Sequence, residues 1–166
     1  MSKEKLKIED LPTIEEFERK QANQLILLSK KFPDAEDILM QKIGMTQSFL
    51  LQNYGLMELK DRNLAMGSVK KMFQYGFFSF IVPVVINIGL GPWTKYYFYE
   101  LPKPLRVSIR LGLFLLPMYY CGMKNKEIYE RVNWYLLDKY MDRTEIYMKF
   151  GDPKIMNPNF EDEQEN

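Results

Sequence analysis

Apolar residues in this chain are spaced like helix faces at both ends and run together in the middle. Ile14, Phe17, Ile26 and Leu27 follow Thr13, which with Glu16 makes a capping-box pattern just after Pro12. This predicts a first amphipathic helix, ended by Phe32-Pro33-Asp34, with Asp34 able to cap the next. In the second, Ile38, Leu39, Met45, Phe49 and Leu50 are interleaved with Asp37, Gln41, Lys42 and Gln47. Neither helix is long or apolar enough to span a membrane. Two short amphipathic helices cannot bury both apolar faces alone, so they need each other or a partner.

The pattern changes after Lys70-Lys71. Met72 to Trp93 is a 22-residue stretch without charge, roughly 33 Å long as a helix and so sufficient to cross a bilayer. Lysines precede it, Trp93 and Lys95 close it, and Tyr96, Tyr97, Phe98 and Tyr99 follow, which fits interface anchors and an aromatic belt. A second apolar segment, Leu105 to Met123, carries Arg106 and Arg110 in its first two turns and is free of charge only from Leu111. Arginine near a headgroup can snorkel, which favours a second span over a helix lying flat in the interface. From Lys124 to about Phe150 the period returns to 3.6. Ile128, Tyr129, Val132, Tyr135, Leu136 and Tyr140 share one face, and Glu127, Arg131, Asp138, Asp142, Glu145 and Lys149 the other. Gly151-Asp152-Pro153 stops this helix, and the acidic tail Asn157 to Asn166, with Glu161-Asp162-Glu163, is expected to be solvated and extended.

The expectation is an all-α membrane protein, a two-helix transmembrane hairpin flanked by amphipathic helices. Residues 1–69 form a polar arm with two amphipathic helices. Residues 70–123 form the hairpin, with spans over 72–93 and 105–123, and residues 124–166 form an amphipathic helix and acidic tail.

Composition narrows the chemistry. With 23 basic and 22 acidic residues the net charge is +1, so no basic excess points to nucleic acid. Cys121 is the single cysteine and histidine is absent, which removes disulfides, thiolate clusters and the commonest general base and metal ligand. No nucleophile elbow or phosphate-cradling loop occurs, and Gly89-Leu90-Gly91 has neither a strand before it nor an acidic partner after it. We therefore expect no catalytic residues, no metal and no cofactor of the chain's own. The first ten residues lack the apolar core of a signal peptide, so the expectation is internal targeting or a leader already removed.

One constellation stands out in the first span. Gly76, Ser79, Pro83, Asn87 and Gly91 recur at spacings of three and four, so they line one helix face. Small residues let a second helix approach closely, Asn87 can hydrogen-bond across such a contact, and Pro83 cannot donate to the Ser79 carbonyl. Ser108 and Gly112 make a small-xxx-small pair in the second segment. Lys70, Lys71, Lys95, Lys103, Arg106 and Arg110 lie near the expected interfaces, either as ordinary flanking anchors or as contacts for anionic phospholipid such as cardiolipin. The excess of bases on the outer flanks of the hairpin favours termini on the matrix or cytoplasmic side.

In this layout the chain resembles the accessory subunits of mitochondrial respiratory-chain complexes. The likeness covers the hairpin from Lys70-Lys71 to Met123 and its amphipathic arms, and involves no specific motif. It implies a non-catalytic subunit of an inner-membrane oxidative-phosphorylation assembly, a respiratory complex or ATP synthase, among other subunits and lipid. A membrane-shaping or protein-insertion hairpin, and a small oligomeric transporter or enzyme, are the alternatives.

Overall fold

A computed structural model describes the backbone of residues 6–97 and 101–164, together with the side chains in that range other than 87, 89–97, 162 and 164. Among the described residues every regular element is helical and none is a strand.

Helix α1, Ile14–Ser29, starts at the expected capping box. The Glu16 amide donates to Thr13 Oγ1 at 3.4 Å, and the Thr13 amide donates to Glu16 Oε2 at 2.9 Å. Helix α2, Ala35–Gln52, starts after Asp34, although the Asp34 side chain makes no capping bond.

The next two helices are longer than the hydropathy boundaries suggest. Helix α3 runs unbroken over 39 residues, Leu59–Tyr97, and α4 over 48, Lys103–Phe150. At about 1.5 Å per residue these are roughly 58 and 72 Å. A switch from polar to apolar side chains leaves the backbone hydrogen-bond ladder intact, so Lys70-Lys71 and Lys124 fall inside helices. Pro117 also lies within α4, where it withholds a donor from the Leu113 carbonyl without ending the helix.

The break comes at Gly151. Its φ of +70° is a left-handed conformation that favours glycine, and its amide donates to the Tyr147 carbonyl at 2.7 Å. The tail beyond it is not extended as expected. It forms two short helices, α5 over Pro153–Met156 and α6 over Phe160–Gln164, and Asp152 Oδ1 caps α5 by accepting from the Lys154 amide at 2.9 Å.

The chain divides into two compact units, Met1–Ser68 with Glu130–Asn166, and Val69–Tyr129. In the first, the two ends of the sequence come together. Leu50 of α2, Met57, Tyr140 of α4 and Met156 of α5 form a buried cluster, with Phe49, Tyr54, Leu56, Leu136 and Tyr147 packed against it. Phe49 and Tyr147 meet at 5.3 Å between ring centroids. The face of α4 read from the sequence is largely the buried one: Val132 and Tyr140 are buried and Tyr135 and Leu136 half-buried. The opposite, polar face also meets protein. Lys20 of α1 pairs with Asp138 at 2.6 Å and Lys42 of α2 with Glu145 at 2.7 Å, while Glu145 also pairs with Lys149 one turn on at 2.9 Å.

The second unit is built the other way round. Phe73 is 76% exposed and Ile88 71%, and Phe77, Phe78, Phe80, Val85, Val107, Leu111, Leu116, Tyr119 and Met123 are also exposed. Among the described residues α3 is the one helix long and apolar enough to cross a membrane, over Leu59–Ile86, and only 11% of its most apolar window is buried. Its first turns belong to the charged interior of the first unit, so the stretch suited to lipid begins after Lys71. The Leu105–Met123 part of α4, with Arg106 and Arg110, does not reach the same mark.

Candidate functional site

Two places in the molecule concentrate interactions: an ionic cluster where α3 meets α4 in the first unit, and the apolar surface of the second.

The ionic cluster starts at the N-terminus of α3. Glu58 stands just before the helix and Asp61 lies in its first turn, where the helix dipole favours negative charge. Asp61 is fully buried. Its carboxylate accepts from the Tyr140 hydroxyl at 2.6 Å, from the Tyr135 hydroxyl at 3.2 Å and from Lys139 Nζ. Glu58 accepts from Lys139 at 2.9 Å, Arg143 at 2.8 Å and Lys60 at 3.0 Å. Tyr140 Oη, fully buried, also accepts the Glu58 amide at 3.0 Å.

Burial alone would push the Glu58 carboxyl up, but hydrogen bonds from Lys139, Lys60 and Arg143 outweigh it and hold the group at about 2. Burial, followed by the neighbouring Asp61, raises both Tyr135 and Tyr140, so their phenols remain neutral donors. Every carboxylate of the cluster is thus matched by cations and hydroxyls. Such an arrangement fixes geometry.

The cluster extends into the tail. Arg143 also donates to the Met156 carbonyl at 3.2 Å. Glu163 of α6 pairs with Arg62, accepts from Asn157 Nδ2 at 2.9 Å, and accepts the Leu59 amide at the start of α3 at 3.2 Å. Glu163 was read as part of a solvated acidic tail, and it is instead half-buried and bonded. The cluster is not visible in the sequence, because the partners that Glu58 to Arg62 find on α4 and α6 lie 74 to 104 positions away. A local trace does exist: Lys139 and Arg143 flank Tyr140, interrupting the apolar face of α4 with two cations at a spacing of four.

The small-residue stripe of the first span divides on inspection. Ser79 and Pro83 are buried, and the Ser79 hydroxyl donates to the Gly76 carbonyl at 2.6 Å. Gly76 is different, since a methyl group added there would meet nothing within 4 Å. It lies in an apolar groove of about 510 Å³ with Met72, Phe73, Phe77 and Phe80, bordered by Asn125, whose side-chain oxygen is buried without a hydrogen-bond partner. The Asn87 and Gly91 positions lie outside the described side chains, as does Lys95. On α4 Ser108 is exposed, and Gly112 has open space beside its Cα. Among the described residues nothing packs within 4 Å of a methyl group placed at Gly112.

The basic positions also differ among themselves. Lys70, Lys103 and Arg110 are exposed, and Lys71 and Arg106 half-buried. Arg110 borders a second apolar groove of about 470 Å³ between α3 and α4, lined by Val84, Ile88, Val107, Leu111 and Phe114. No group of three or more His, Cys, Asp or Glu side chains able to hold a metal occurs among the described residues. Comparison with protein-family models, curated proteins and solved structures finds no match to this chain.

Proposed function

We propose that this chain is a non-catalytic accessory subunit of a large mitochondrial inner-membrane oxidative-phosphorylation complex, a respiratory-chain complex or ATP synthase. In this reading α3 and the apolar part of α4 form a transmembrane hairpin with both termini on the matrix side. The first unit then acts as a brace against neighbouring subunits.

The observation that carries the membrane part is the outward-facing apolar surface of residues 69–129. Apolar side chains exposed together in this way mark a surface that lipid or a protein neighbour removes from water. The open groove at Gly76 favours a protein neighbour on that side. The ion-paired first unit fits a brace, because its carboxylates are committed to holding α3, α4 and the tail together. The mitochondrial assignment rests on the layout resemblance.

Disrupting the gene tests the reading. The expected result is loss or truncation of one inner-membrane complex on native gels, with the remaining complexes intact. Normal levels of every such complex would contradict it.

A further inference from the structure

Residues 69–129 carry eight lysines and arginines against two acids, Glu100 and Glu127, a net of +6 in a chain whose total is +1. Three of these bases, Lys103, Arg106 and Arg110, fall in the first turns of α4, and no acid occurs in that helix before Glu127. Arg110 borders the apolar groove between α3 and α4, and Lys103 and Arg106 precede it by two turns and one turn. The groove volume of about 470 Å³ falls within the roughly 300–1,000 Å³ typical of small-ligand sites. Among the described residues its other lining side chains are apolar: Val84 and Ile88 from α3, Val107, Leu111 and Phe114 from α4.

We propose that this groove is the seat of one anionic phospholipid. An acyl chain lies against Val84, Ile88, Val107, Leu111 and Phe114, and the phosphate sits on Arg110, with Arg106 and Lys103 adding to the local positive field. Helical side chains lean toward the N-terminus of their helix, so Arg110 reaches toward the start of α4, where the basic residues gather. Guanidinium matches phosphate with two parallel hydrogen bonds, and it is less strongly hydrated than an ammonium, which suits a site at the edge of the bilayer. A zwitterionic lipid would fill the groove equally well but bring no net charge to the basic turns. Selectivity therefore comes from Arg110, and occupancy from the groove. The inference rests on the reading of residues 69–129 as membrane-embedded.

The full chain, reconstituted into vesicles of phosphatidylcholine with one-tenth phosphatidylglycerol, tests both layers. Flotation with the vesicles reports membrane insertion. After gentle extraction, native mass spectrometry reports which lipid stays bound. The expected result is one retained phosphatidylglycerol per chain. Arg110→Gln should lower the ratio of bound phosphatidylglycerol to phosphatidylcholine at least tenfold, Val107→Trp should lower total retained lipid, and Lys124→Gln should change neither. A chain that floats but retains the two lipids in proportion to their supply overturns the seat and leaves the membrane reading standing. Retention unaffected by Arg110→Gln overturns it too. A folded chain that does not float overturns both.

Discussion

Lys139, itself half-buried, stands between two carboxylates, Glu58 and the fully buried Asp61. Removing one member of a buried ionic group is costly because the other charges are left without a partner. Lys139→Met should therefore destabilise the first unit by about 3–5 kcal/mol in a denaturant titration in detergent. Tyr140→Phe deletes one hydroxyl that serves both the Glu58 amide and Asp61, and should cost about 1–3 kcal/mol in the same titration. Two threonines predict the opposite sign. Thr46 and Thr144 are fully buried, and their hydroxyls have no hydrogen-bond partner among the described residues. Thr46→Val and Thr144→Val keep the shape and remove the stranded polar atom, so each should stabilise by about 1 kcal/mol. A loss from either would mean that its hydroxyl is satisfied. Glu58 adds a pH dependence. Its carboxyl sits at about 2 against an ordinary 4.5, so its ion pairs stabilise fully above pH 4.5 and that contribution fades as pH falls through 2. The loss should reach about 3 kcal/mol at most, and Glu58→Gln should flatten that part of the pH–stability curve.

At the level of elements, hydrophobic period was a good guide to where helices form and a poor one to where they end. The capping box at Thr13 and the stop at Gly151 were legible, because each is a local geometric requirement written in adjacent residues. Gly151→Ala places a side chain at φ +70° and should cost about 1 kcal/mol of thermal stability in the first unit. Lys70-Lys71 and Lys124 look like element boundaries in the sequence, but they are changes of side-chain polarity along continuous helices. The folded tail was illegible for a different reason. Glu163 looks like one acid in an acidic run, and its role depends on Arg62 and the Leu59 amide, about a hundred residues earlier. Sequence spacing carries no trace of such a distant partner.

At the scale of the whole molecule, the first unit gathers carboxylates, tyrosine hydroxyls and apolar side chains into a buried cluster, while Phe73, Phe77, Phe78 and Phe80 of the second unit are exposed. The concentration of apolar residues after position 71 was visible in the sequence, and so was the stripe containing Gly76. What could not be read there is that Ser79 and Pro83 are buried within the chain while Gly76 faces an open groove. This difference separates folding from assembly. Gly76→Leu puts its Cβ where nothing described lies within 4 Å, points the rest of the side chain into the open groove and replaces a poor helix former, so isolated-chain stability should stay the same or rise by up to about 1 kcal/mol. If a neighbouring subunit packs into the groove, the same substitution should lower incorporation into the complex severalfold. The most direct measurement is native electrophoresis of inner membranes solubilised in mild detergent, with mass spectrometry of the band that contains this chain. The chain should comigrate with the subunits of one large oxidative-phosphorylation complex. Migration solely as a free monomer, with no such subunits in its band, would contradict the proposal that it works as part of that assembly.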